Sequence, residues 1–141
     1  MTHAAPILAP VITLAIWTAV IWVWMYATRI PAMLKIKMVL DSTMPRGKQM
    51  AQLPANVRWK ADNYNHLMEQ PTVFFAVALS LAMLGDVSTS SLVLAWSYVI
   101  IRVIHSLVQV LINHIPTRFT LFFLSSLCLF GLTKNAAILV F

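Results

Sequence analysis

The sequence predicts an all-α membrane protein with four transmembrane helices packed as a four-helix bundle of the left-handed type. Of its 141 residues, 60% are hydrophobic and only 10% are charged, and the mean hydropathy is +0.82. Soluble domains carry about 25% charged residues, so this chain could not cover a water-exposed surface. Because a spanning helix needs about 20 apolar residues, the length allows four spans and one modest loop.

Turn-forming and polar segments divide the apolar sequence into four runs. A long basic segment follows the first run, a Ser-rich turn follows the second, and the sequence Asn-His-Ile-Pro separates the third from the fourth. The chain is therefore expected to form a single membrane domain over residues 1–141, without a separate soluble domain. The predicted spans are residues 6–28, 62–84, 92–113 and 117–140, and the predicted loop comprises residues 29–61.

The loop at residues 29–61 predicts how the protein is oriented. It contains seven lysines and arginines and a single acidic residue, Asp41, whereas the Ser-rich turn contains no lysine or arginine. Loops enriched in lysine and arginine remain in the cytoplasm. We therefore expect this loop to be cytoplasmic and both termini to lie on the opposite side. The net charge of +6 is then a feature of a membrane protein and does not indicate a nucleic-acid partner.

Polar side chains recur at the same spacing in the second and third spans. The spacing is i, i+3, i+7 in both, with Asp62, Asn65 and Glu69 in the second span and Arg102, His105 and Gln109 in the third. Residues so spaced share one helix face, and a charged side chain at the bilayer centre costs about 3 kcal/mol. We therefore expect the two stripes to face each other or a neighbouring subunit. Glu69 and Asp62 would balance Arg102, which leaves Arg118 or Lys60 to bind an anionic ligand.

Two segments of the chain resemble the MAPEG family, the membrane-associated proteins of eicosanoid and glutathione metabolism. The segment RVIHSLVQVLINHIPTR resembles the family's third-to-fourth-helix segment through Arg102, His105, Pro116 and Arg118. The segment ADNYNHLMEQP is similar to the second-helix motif in a variant of bacterial appearance. The matching residues there are Ala61, Asp62, Asn63, Asn65, Glu69 and Pro71. The resemblance covers all four spans, about residues 6–141.

The resemblance implies a homotrimer in the bacterial inner membrane, with glutathione bound between subunits near the cytoplasmic side. It also implies that the glutathione thiol adds to a lipophilic electrophile or reduces a lipid hydroperoxide. Arg118 would be the catalytic residue, because a nearby cation favours the thiolate over the thiol. Asn65, Glu69, Arg102 and His105 would hold glutathione, and the neighbouring Asp62, His66, Gln109 and Lys60 are further candidates.

The chain departs from the family pattern at one residue and in one spacing. Gln109 stands where the family commonly has a tyrosine, and an amide cannot act as an acid or a base. The spacing from Asn65 to Glu69 is four residues, where better-known members have three.

Two other functions compete with the one that the resemblance implies. One alternative is a small multidrug-type transporter in which Glu69 binds cations and protons. The other is a non-catalytic membrane scaffold. The scattered histidines and the single Cys128 do not predict a metal site.

Overall fold

The computed structural model describes residues 5–141, and this range contains six helices and no strand. The helices are α1 (Leu8–Lys35), α2 (Arg46–Met50), α3 (Ala55–Leu67), α4 (Gln70–Met83), α5 (Thr89–Leu111) and α6 (Ile115–Val140). Within the described range, three helices are long and apolar enough to cross a membrane, namely α1, α5 and α6. The all-helical, membrane-spanning character is therefore confirmed. The predicted position of the N-terminus falls on residues 1–4, outside the described range.

The second predicted span, residues 62–84, is not one helix. A polar helix, α3, begins inside the predicted loop and ends at Leu67, and α4 begins at Gln70 after Glu69 adopts a non-helical ψ of −100°. Pro71 explains the interruption, because its ring would clash with the carbonyl of Leu67 and it has no backbone N–H to donate. With 14 residues, α4 is about 21 Å long at 1.5 Å per residue. Hydrocarbon cores are about 30 Å thick, so a fourth crossing remains a prediction.

The other helix boundaries differ from the predictions in ways that local interactions explain. Helix α1 continues through Pro31 to Lys35 and closes where Lys37 takes a φ of 49°, with the amide of Met38 donating to Met33 O at 3.0 Å. Helix α5 begins at Thr89, because the Ser88 hydroxyl accepts a hydrogen bond from the amide of Ser91 at 3.3 Å. A serine at this position satisfies an amide that would otherwise lack a partner. The start and end of α6 agree closely with the fourth predicted span.

Helix α5 lies at the centre of the bundle, where it packs against α1, α3 and α6. At the level of α4 the interior is mainly apolar, and the rings of Phe74 and Tyr98 stack with centroids 4.5 Å apart. At the level of α3 the interior is polar, because the C-terminal half of α5 buries several polar side chains. These are Arg102, His105, Ser106 and Gln109. The candidate site lies at this polar end, beside the first turns of α6.

Candidate functional site

An open pocket of about 350 Å³ lies where α3, α5 and the start of α6 meet. Its lining combines two imidazoles and a guanidinium with apolar side chains. The lining residues are His66, His105, Ile115, Arg118, Phe119 and Phe122. A site that is largely apolar with a few convergent polar groups is the usual form of a small-molecule site. Its charge and its rings suit an amphiphile that carries an anionic group.

His66, in the last turn of α3, is held in the pocket wall on three sides. Its Nδ1 lies 3.0 Å from Glu69 Oε2, and its ring stacks on Phe122 with centroids 5.5 Å apart. The ring of His105 lies 4.9 Å away, tilted by 48°. The interruption between α3 and α4 leaves Glu69 outside both helices, in contact with His66.

Within the described chain, no group of three or more His, Cys, Asp or Glu side chains could hold a metal ion.

Arg118, in the first turns of α6, is fixed by the turn that precedes this helix. Its Nη1 donates to Asn113 Oδ1 at 2.6 Å. Asn113 has a φ of 55°, a left-handed conformation that asparagine tolerates better than most residues. The Nε of Arg118 is buried and has no hydrogen-bond partner within residues 5–141. The turn therefore holds a cation at the pocket wall with part of its donor capacity unused.

Arg102 does not line this pocket, although the sequence predicts that it binds glutathione. It is 1% exposed, and its Nη2 donates to Gln70 Oε1. Its guanidinium carbon lies 5.2 Å from the ring centroids of both Tyr98 and Phe122. Gln70 in turn donates from Nε2 to Ser126 Oγ at 2.8 Å. Arg102 is thus enclosed by one subunit's own side chains.

The predicted ion pairs of Arg102 with Glu69 and Asp62 are wrong for the single chain. In the part of the chain that the structure describes, the one ion pair joins His66 and Glu69. The interruption before α4 accounts for the change, because it places Gln70, rather than Glu69, against the interior. The guanidinium of Arg102 contacts an amide oxygen and two aromatic faces, and its Nε and Nη1 have no hydrogen-bond partner within residues 5–141.

The two predicted polar stripes therefore do not face each other. The α5 stripe is buried, as expected, whereas Asp62, Asn65 and Glu69 are all exposed in the single chain. Helix α3 turns a different face to the bundle, and this face includes Lys60, Asn63 and Leu67. Gln109 is 3% exposed, and its Oε1 has no partner among the described residues. Only three of the predicted site residues line the pocket: His66, His105 and Arg118.

Lys60 and Asp62 lie away from the pocket. Lys60 donates to the carbonyl of Asn56 at 2.8 Å and lies 5.5 Å from a Trp24 ring centroid, and burial lowers the pKa of its ammonium. Asp62 lines a smaller cavity of about 170 Å³, together with Arg29 and Arg58. Lys60 is accordingly a packing residue between α1 and α3.

Several residues that shape the site were not anticipated from the sequence. Gln70 could have been found as a polar residue immediately before Pro71, where a helix interruption frees the chain to turn a side chain inward. Phe122 follows Arg118 by four residues, a spacing that places both on one helix face. Asn113 precedes a turn with a proline and stands where a left-handed residue ends many helices.

Comparison with known proteins relates the chain to a family. The model of the MAPEG family matches residues 7–138. No curated protein and no solved structure matches the chain significantly.

Proposed function

The chain belongs to the MAPEG family, and on that premise we propose that it is a membrane-bound, glutathione-dependent transferase or peroxidase. It would bind glutathione as a co-substrate and favour ionisation of the thiol. The thiolate would then add to a lipophilic electrophile or reduce a lipid hydroperoxide. The observation that supports this function best is the pocket in which Arg118 accompanies two imidazoles and two phenyl rings.

The contents of the pocket suit thiol chemistry. A free thiol has a pKa near 8.5 and is mostly protonated at neutral pH, and a nearby cation shifts the balance towards the nucleophilic thiolate. Arg118 supplies such a cation, since a guanidinium stays charged in proteins. Ile115 and Phe119 are 72% and 69% exposed, and they provide an apolar approach for a lipophilic second substrate. The lipid bilayer would be the source of that substrate.

We place the site at a subunit boundary of a homotrimer. The pocket is open in the single chain, and a neighbouring subunit would close it. Asn65, exposed on α3, would then be accessible to glutathione bound between subunits. The pocket lies at the same end of the bundle as the basic segment between α1 and α3. By the distribution of lysine and arginine, that end would be cytoplasmic, in a bacterial inner membrane.

The transport alternative gains less support from the geometry. A cation-coupled carboxylate is expected inside a span and sheltered from solvent. The Glu69 side chain is 69% exposed and lies against His66, between two helices. The scaffold alternative makes the opposite prediction to ours in a binding experiment, so one measurement separates them.

The test is titration of detergent-purified protein with glutathione by calorimetry, followed by turnover with trans-4-hydroxy-2-nonenal. We expect saturable binding and measurable conjugation in the wild type. Arg118→Ala should lower kcat/KM about a hundredfold, because it removes a charge that stabilises the developing thiolate. Arg46→Ala is the matched control, since Arg46 is exposed on α2. Folded wild-type protein that binds no glutathione would contradict the proposal and favour a scaffold.

A further inference from the structure

The contact between His66 and Glu69 resembles the base-and-orienter arrangement of enzymes that activate nucleophiles. A histidine that donates Nδ1–H to a carboxylate is fixed in one tautomer, which leaves the lone pair on Nε2. In this chain the Nδ1–Oε2 distance is 3.0 Å, and His66 lines the pocket that also contains Arg118. Stacking on Phe122 further restricts the ring. The imidazole is thus oriented before any ligand binds.

From this geometry we propose that His66 is the general base that removes the thiol proton, with Glu69 as its positioning residue. The proposal rests on the proposed function and adds a proton acceptor to it. Arg118 stabilises the thiolate once it has formed, whereas His66 accepts the proton that must leave. Gln109 cannot accept this proton, because a neutral amide is not a base near pH 7.

The step balances for conjugate addition to an α,β-unsaturated aldehyde. The thiol proton passes to His66 Nε2, and the sulfur electron pair forms the new S–C bond at the β-carbon. The carbon–carbon π bond breaks, and the resulting enolate takes the proton back from His66 at the α-carbon. The imidazole returns to its neutral state, and no further reactant is needed.

The surroundings distinguish His66 from the second pocket histidine. His105 is 2% exposed, and it has no hydrogen-bonded carboxylate in the described residues. The charged and titratable groups that face His66 are Glu69 from its own segment, His105 from α5 and Arg118 from α6. Of the two pocket histidines, His66 is therefore the one whose ring is oriented by a carboxylate.

The experiment measures kcat and KM between pH 5 and 9 with glutathione and trans-4-hydroxy-2-nonenal, together with calorimetric binding of glutathione. His66→Gln should lower kcat about a hundredfold, the usual contribution of a positioned base, and should abolish the rise of kcat through the range in which imidazole titrates. Glutathione affinity should fall much less than kcat. His114→Gln is the matched control, because His114 contacts Thr117 Oγ1 at 2.8 Å and does not line the pocket.

Glu69→Gln tests the positioning role independently of any packing change at Phe122. Glu69 is exposed and the substitution is nearly isosteric, so folding should be preserved. We expect kcat to fall about tenfold, and more than glutathione affinity, because the imidazole remains but loses its orientation. Glu69→Asp should recover part of the loss.

The outcomes separate this inference from the proposed function. Binding and turnover in the wild type, with an unaltered pH profile in His66→Gln, would overturn the base and leave the transferase intact. Loss of affinity in His66→Gln at wild-type kcat would make His66 a binding residue and would also overturn the proposal. Absence of glutathione binding in the wild type would refute the proposed function itself.

Discussion

Arg102 and Arg118 lie sixteen positions apart in the sequence, yet the fold gives them opposite surroundings. Arg102 is 1% exposed and is surrounded by Tyr98, Phe122 and the amide of Gln70. Arg118 lines an open pocket and is fixed by Asn113. The same side chain therefore serves packing at one position and is available to a ligand at the other. Both charges lie near the same polar end of the bundle. The two roles differ because a ligand can reach Arg118 from the open pocket, whereas Arg102 is enclosed.

The two arginines also differ in the free energy that their partners must supply. A buried guanidinium that loses its partners is strongly destabilising, so its hydrogen bond and its aromatic contacts must be retained. A guanidinium at a pocket wall keeps some contact with solvent and can exchange water for a ligand. Variants around Arg102 should therefore change stability, and variants around Arg118 should change turnover.

The largest effect is expected at Arg102. Arg102→Ala should lower the free energy of unfolding by about 3–5 kcal/mol, because it removes the guanidinium that donates to Gln70 Oε1 and opens space between two rings. Thermal unfolding in detergent measures the loss, and Arg46→Ala on exposed α2 is the control. A fully stable Arg102→Ala protein that no longer bound glutathione would show instead that Arg102 is a ligand residue and would remove the contrast.

A smaller loss is expected at Gln70, which joins Arg102 to α6. Gln70→Leu removes both the acceptor of the guanidinium and the donor to Ser126. Leaving a buried donor unsatisfied costs about 1–3 kcal/mol, so we expect a loss of about 2 kcal/mol in chemical unfolding. Gln52→Leu, at an exposed position, should have little effect. Equal stability of the two variants would mean that the Gln70 contacts do not stabilise the bundle.

The smallest effect is expected at Asn113 and can be divided between backbone and side chain. Asn113→Gly keeps the φ of 55° accessible and removes only the hydrogen bond to Arg118. It should lower kcat about fivefold through poorer orientation, with little change in stability. Asn113→Ala should lower kcat similarly and add about 1 kcal/mol of strain. Steady-state turnover and thermal unfolding report the two parts separately. Unchanged kcat in both variants would show that Asn113 does not position Arg118.

The sequence predicted much of the fold because hydrophobic length is a local property. The three helices α1, α5 and α6 follow from apolar runs of sufficient length. The buried face of α5 follows from a spacing that repeats along one helix. The interruption at Glu69 was also visible in principle, since Pro71 lies two residues after it. Its consequence was not visible, because the direction in which the chain resumes depends on what α4 packs against.

By itself, the sequence determined the membrane class, the polar face of α5 and the family pattern, and it gave Arg118 as a candidate site residue. Composition, periodicity and motif spacing are properties of the chain alone. Only the tertiary structure decided that Arg102 is bound by Gln70, that Asp62 and Lys60 lie away from the pocket, and that Glu69 contacts His66. These pairings depend on how α3 is rotated about its axis and on how α6 crosses α5. Such rigid-body relations are set by the packing of the whole bundle, and no short segment encodes them.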